Sequence, residues 1–205
     1  DIIDKEILDS GNKLKSISTY SVGFDHIDVN YAKKKKISIG YTPEVLTNAT
    51  AELTIGLMID LLRRITEGDH IIRKGKWTEI FGPFDYVGTE ISDKTLGILG
   101  MGRIGKTVAK KASCLGMNVL YHSRETIAKS GKAKYVSLNE LFKKSDVITV
   151  HVPYSKNTHY MINSKLLSKM KKTSFLINTS RGKVVNQKDL LKALQLKKIQ
   201  GAALD

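Results

Sequence analysis

A chain of 205 residues, 41% hydrophobic and 26% charged, can bury a core, and it is long for one domain and short for two. Its net charge of +14 would suit nucleic acid, but the lysines stand in scattered pairs and short runs on segments with a helical pattern. Without basic–aromatic interleaving these read as solvated helix faces, so neither a nucleic-acid nor a membrane partner is expected, although the positive field favours anionic ligands.

In chain order, the opening "DIIDKEILDSGNKLKS" is polar and shows no secretory signal pattern. Short apolar runs follow, predicting strands at "LKSISTY", "KISIGY", "TLGILG", "MNVLYH", "DVITVHV", "TSFLINT" and "IQGAALD". Between them the pattern predicts helices over Asp28 to Lys35, Arg103 to Leu115, Leu138 to Lys143, Ser164 to Met170 and Gln187 to Leu194. Continuous rather than alternating apolar strands point to sheets covered on both faces. Strand–helix alternation points to a parallel α/β architecture. One segment breaks the rhythm: Leu53, Leu57, Leu61 and Ile65 recur at helical spacing, predicting a single long helix from about Ala49 to Lys74. Thr47 or Asn48 is its expected cap, with Glu52 in its first turn. The single cysteine, Cys114, excludes an internal disulfide framework, fits a reducing, cytoplasmic setting, and reads as a small core residue on a helix.

"TLGILGMGRIGKTVAKKA" holds the pattern Gly100-x-Gly102-x-x-Gly105 after an apolar strand and at the start of a helix. In that setting the first glycine makes a tight turn, the second lets backbone approach a pyrophosphate, and the third lets helix and strand pack closely. The free amides of the helix start favour phosphate, and Arg103 adds a charge-assisted donor. Dinucleotide folds place an acidic residue about 20 positions further on, at the end of the next strand, to bind the adenine ribose. Here that place carries Ser123 and Arg124, 23 and 24 positions after Gly100. A hydroxyl and a guanidinium remove the repulsion toward a 2′-phosphate and supply its natural partners. The alternative is that Arg124 is a surface residue and Glu125 takes the acidic role.

These stretches, together with "STYSVGFDHID", "GYTPEVLTNATAEL", "KKTSFLINTSRGKVVNQKDLLKAL" and "GAALD", closely resemble the D-isomer-specific 2-hydroxyacid dehydrogenases, and among them the glyoxylate/hydroxypyruvate reductases. The resemblance covers nearly the whole chain in the family's order. It implies a Rossmann-type doubly wound parallel sheet plus part of a flavodoxin-like α/β substrate domain. Residues 1–48 would be the partial substrate domain, 49–74 an interdomain helix, and 75–205 the NADP-binding domain. It implies that the amides of Val22 and Gly23 hold the substrate carboxylate, and that Arg181 is the catalytic arginine, binding the carboxylate and polarising the keto oxygen. Gly100, Gly102, Arg103, Ile104, Gly105, His122, Ser123, Arg124, Pro153, Thr158, Thr179 and Asp205 would line NADP(H), with Thr50 near the nicotinamide. A homodimer through the cofactor domain is implied, with the loop from Trp77 to Tyr86, including Ile80 and Phe81, near its interface. No metal is implied.

The family's proton donor, a histidine paired with a glutamate, lies beyond the aspartate that matches Asp205. None of His26, His70, His122, His151 and His159 stands at its place; His151, ending a buried strand, reads as a satisfied structural histidine. The 205 residues are therefore expected to be a piece with little turnover of its own. The expected whole is an NADPH-dependent reductase of small 2-oxo acids such as glyoxylate and hydroxypyruvate. The same scaffold also carries nucleotide-sensing corepressors, which prefer NAD(H), and dehydrogenases for other acids such as 3-phosphoglycerate.

Overall fold

The structure, a computed structural model, describes residues 2–77, 82, 84, 86–126 and 131–205. They fall into two compact units, Asp1–Thr47 and Asn48–Asp205.

In the first unit the polar opening contains a helix, α1 (Lys5–Ser10), which the hydropathy pattern hides because only Leu8 is buried. Asp4 caps it, its carboxylate accepting from the Glu6 and Ile7 amides at 3.1 and 3.2 Å. Strand β1 (Ser16–Ser18), helix α2 (Val29–Lys34) and strand β2 (Ser38–Gly40) follow. The two strands pair in parallel, Ile17 beside Ile39. Leu8, Ala32 and Ile37 form the small core. The Asp9 carboxylate ties the helices together, accepting from the Tyr31 hydroxyl at 2.8 Å and the Lys35 ammonium at 2.5 Å.

The second unit opens with two helices where one was expected: α3 (Thr47–Arg63) and α4 (Ile65–Arg73). The break is at Arg64, whose φ of 58° and ψ of 37° are left-handed. Three contacts outweigh the helical propensity there. The Asp60 carboxylate accepts from the Thr66 amide at 2.7 Å and hydroxyl at 2.9 Å, capping α4 from six residues back. The Arg64 guanidinium grips Glu67 with two hydrogen bonds, at 2.7 and 2.6 Å. The Tyr86 hydroxyl donates to the Arg64 carbonyl. The buried stripe of α3 is Ala51, Thr54, Met58 and Leu62, one position off the predicted leucine stripe, with Leu57 and Leu61 at its margin. Because α3 starts at Thr47, Glu52 lies beyond the first turn, and it forms an ion pair with Lys111 at 3.0 Å.

The rest winds around one sheet. Strands β3 (Thr95–Leu99), β4 (Asn118–His122), β5 (Lys134–Tyr135), β6 (Val147–Val150), β7 (Phe175–Asn178) and β8 (Gly201–Leu204) are all parallel, in the order β5-β4-β3-β6-β7-β8. This is the doubly wound dinucleotide order. Helices α5 (Arg103–Cys114), α6 (Leu138–Lys144), α7 (Ser164–Leu167) and α8 (Gln187–Gln195) connect the strands. One face of the sheet packs Leu96, Ile98, Val147 and Ile177 against α3 and α5 through Met58, Leu62, Val108 and Ala112. The other packs Leu99, Ile148, Val150 and Leu176 against α6, α7 and α8 through Phe142, Leu167 and Leu190. Burial on both faces is why these strands read as unbroken apolar runs. Cys114, expected in the core, is the last residue of α5 and is exposed, because the helix turns that position away from the sheet.

Asp146 fixes the start of β6. Its carboxylate accepts from the Thr95 amide at 2.8 Å and from the Lys171 ammonium at 2.7 Å. Burial alone would raise this carboxyl, but the Lys171 ammonium and the Thr95 amide outweigh it and hold it below its ordinary value of 3.8. A depressed carboxylate stabilises the fold above its unfolded value and loses that contribution as pH falls through the folded one. Asp146→Ala is expected to cost about 2 kcal/mol at neutral pH, and Asp146→Asn to flatten the acid limb of stability. Denaturant melts taken from neutral into acid check both.

Candidate active site

The strand order reverses at β3, which has β4 on one side and β6 on the other, so the crevice for a ligand lies at the carboxyl ends of these strands. From the end of β3 into the first turn of α5, three glycines stand in three different surroundings. Gly100 has a φ of +101°, and a Cβ there would lie 2.8 Å from the His151 carbonyl carbon. A Cβ on Gly105 would stand 2.1 Å from the Gly100 oxygen, so only glycine lets α5 pack against the turn. A Cβ on Gly102 would meet nothing within 4 Å. Gly102 is also the N-cap of α5 and offers no side chain to the helix amides. These residues fit a pyrophosphate: open space at Gly102 meets the amides at the start of α5, whose first residue is Arg103. Ile104 turns its side chain into the core, leaving its backbone for the turn.

At the carboxyl end of β4, His122 is the last strand residue, so Ser123 and Arg124 are the first two beyond it. The His122 Nδ1 pairs with the Val136 carbonyl at 3.0 Å, and its ring leans on Tyr135 at 5.7 Å between centroids. The Ser123 hydroxyl donates to the Glu125 carbonyl, which turns the chain; Arg124 and Glu125 are exposed.

Past β6, Thr158 closes the loop that carries Pro153. Its hydroxyl donates to the Pro153 carbonyl at 2.8 Å and accepts from the Ser155 amide at 2.7 Å. Past β7, the loop that holds Arg181 is organised by a residue the sequence reading passed over. Asn178 is buried; its side-chain amide donates to the Arg181 carbonyl at 3.1 Å, and its oxygen accepts from the Ser180 amide and hydroxyl at 3.0 and 2.8 Å. Its carbonyl also accepts from the Asp205 amide at 3.0 Å, placing Asp205 beside this loop. A buried asparagine at a strand end is the signal that could have marked it. The Arg181 guanidinium donates to the Ser180 carbonyl at 2.9 Å. Thr179 is buried, and its hydroxyl meets that of Thr54 at 2.9 Å. Thr54 also donates to the Thr50 carbonyl at 2.8 Å, so Thr50, Thr54 and Thr179 form one hydrogen-bonded series. His151 departs from expectation. Both its ring nitrogens are buried and have no hydrogen-bond partner among the described residues.

Val22 and Gly23 belong to the first unit. Their loop is tied by the Ser21 hydroxyl, which donates to the Gly23 carbonyl at 2.6 Å and meets the Thr19 hydroxyl at 2.8 Å. Val22 is exposed, and the Phe24 and Tyr41 rings meet edge-on at 5.1 Å behind the loop. Ile80 and Phe81 lie outside the described residues.

Residues 55–205 match the family described as D-isomer specific 2-hydroxyacid dehydrogenase, NAD binding domain. A glyoxylate reductase of Thermofilum pendens is 46% identical over the whole of this chain, which covers 62% of that protein. The D-lactate dehydrogenase of Aquifex aeolicus, solved with NAD and lactic acid, superposes on the whole chain with a TM-score of 0.92 at 39% identity, over 61% of its own length. An acyclic imino acid reductase solved with NADPH and D-Arg does so with a TM-score of 0.91 at 35% identity, over 66% of its length. This chain thus spans between 61% and 66% of the proteins it matches here.

Proposed function

The chain belongs to the D-isomer specific 2-hydroxyacid dehydrogenases, and from that footing we propose that the protein carrying it reduces small 2-oxo acids with NADPH. Glyoxylate would become glycolate, and hydroxypyruvate D-glycerate. The observation that carries the cofactor choice is Ser123–Arg124 directly after β4, where a carboxylate would repel a 2′-phosphate. Relatives of this shape have been solved with NAD and with NADPH, so the scaffold itself does not choose.

When bound, the nicotinamide supplies the hydride that goes to the substrate's α-carbon. The chain's own residues supply position and charge. Gly100, Gly102 and Gly105 with the α5 amides would hold the pyrophosphate, and Arg124 the 2′-phosphate. Arg181 would bind the substrate carboxylate with its fork and stabilise charge developing on the keto oxygen. The Val22 and Gly23 amides would hold the same carboxylate. A guanidinium does not give up its proton near neutral pH, so Arg181 is no proton donor and the donor is another residue. A homodimer is supported by apolar side chains left exposed on and after α4: Ile65, Ile72, Trp77, Phe84 and Val87. Among the described residues no helix is long and apolar enough to cross a membrane.

The test compares kcat/KM for NADPH and NADH with glyoxylate and hydroxypyruvate, in an enzyme that carries this chain at its relatives' length. NADPH is expected to win, and Arg124→Asp to erode its advantage by about 10- to 100-fold, the worth of a charge-assisted pair. Equal use of both cofactors before substitution would sink the assignment; a strong preference for pyruvate would move the substrate while leaving the family intact.

A further inference from the structure

His151 lies one residue past β6, at the point where the sheet order reverses, and its backbone is what Gly100 packs against. Side chains alternate along a strand. Thr149 pairs with Ile98 and Ile177, so Thr149 and His151 share the face that α3 and α5 cover. Thr179, two residues after Ile177, is on that face as well, bonded to Thr54. The neighbouring hydroxyls are thus satisfied, while both nitrogens of His151 and the Thr149 Oγ1 are shut away from solvent without a partner. Native proteins rarely leave buried polar atoms unpaired, and such atoms at the edge of a ligand crevice call for an absent partner. Burial pushes the imidazole down to about 4, so at neutral pH the ring is uncharged. A neutral imidazole offers one donor and one acceptor. A sugar hydroxyl can give to or take from a ring nitrogen and so suits either tautomer, whereas a carboxylate only accepts and an ammonium only donates.

We infer that His151 is a dinucleotide-binding residue, one of whose unpartnered ring nitrogens pairs with a ribose hydroxyl when the dinucleotide occupies the crevice between β3 and β6. This rests on the cofactor reading above and adds a contact that neither the glycine turn nor Arg124 provides. It also makes a paired demand on one substitution. Removing an unsatisfied buried polar group relieves the empty fold, whereas removing a ligand contact weakens binding.

The experiment measures melting temperature and NADPH affinity for the chain and for His151→Leu and His151→Asn, and follows the ring ¹⁵N resonances of His151 during NADPH titration. His151→Leu is expected to melt no lower than the parent without ligand and to bind NADPH about tenfold more weakly. His151→Asn, which keeps a donor and an acceptor, is expected to recover most of that affinity. The ring nitrogens are expected to shift on binding, and this readout decides the case if His151→Leu lowers stability and affinity together. Unchanged affinity in His151→Leu, or ring resonances indifferent to NADPH, overturns the inference alone and marks a histidine served by ordered water. No binding of NADPH or NADH by the parent chain overturns the cofactor reading itself, and this contact with it.

Discussion

Gly105→Ala abolishes dinucleotide binding and lowers the melting temperature by about 4–8 °C: that is the expected result, and it follows from one distance. The added Cβ would sit 2.1 Å from the Gly100 oxygen, against a backbone atom that cannot swing aside. Alanine in a helix gains up to about 1 kcal/mol over glycine, but overpacking against backbone costs about 3 kcal/mol or more, so the clash wins. For a chain of this size each kcal/mol moves the melting point by about 2–4 °C. Relieving the clash means lifting α5 off the turn, which moves the amides meant for phosphate. Gly102→Ala is the control. Its Cβ meets nothing within 4 Å, so the empty fold keeps its melting point while the methyl occupies space meant for the ligand, and affinity falls. Melting curves of both variants with and without NADPH separate the two roles. Equal destabilisation by the two substitutions would refute the division of labour among these glycines.

The second large effect is at Arg181. Arg181→Gln is expected to lower kcat/KM for a 2-oxo acid by about a thousandfold while leaving NADPH affinity within about twofold, because the guanidinium serves substrate charge rather than the cofactor. Arg181→Lys keeps the charge and loses the fork, and an intermediate loss of about a hundredfold is expected. Steady-state kinetics with parallel NADPH titrations measure both. A cofactor affinity that falls as far as turnover would reassign Arg181 to the dinucleotide. The loop is stiff enough for the comparison to be clean, since the Asn178 side chain binds the backbone of both Ser180 and Arg181.

Much of this was legible in the sequence for an identifiable reason. Strands such as "TSFLIN" are buried on both faces and leave continuous apolar runs that no surface helix imitates. The glycine spacing was legible because Gly100 and Gly105 answer steric demands peculiar to their places, while Gly102 leaves open space at the helix start. What escaped depends on contacts from afar. Lys134 and Tyr135 pair with β4 but carry no apolar pattern, so β5 leaves no trace in composition. The break at Arg64 needs Tyr86, 22 residues away, and a leucine repeat running into Ile65 masks it. Asn178 looks like any asparagine at a strand end until its three hydrogen bonds within the turn are seen. His151 was misjudged because its place at the end of a buried strand does not show that no group of the described residues reaches its ring nitrogens.

The reversal of strand order has a consequence for how the protein is maintained. β3 has two neighbours of unequal reach: Leu96 pairs with Val119 nearby in sequence, and with Val147 much farther along. Closing the longer loop costs more chain entropy, and the crevice has a wall only once it is closed, because Gly100 lies against the backbone that follows β6. A chain holding only β3, α5 and β4 has the glycine turn without that wall. The dinucleotide therefore discriminates between a finished sheet and a half-built one. By mass action, free dinucleotide at a hundred times its dissociation constant would add about 2.7 kcal/mol to the folded side, which makes the supply of cofactor a determinant of how much of this protein survives as well as of how fast it works.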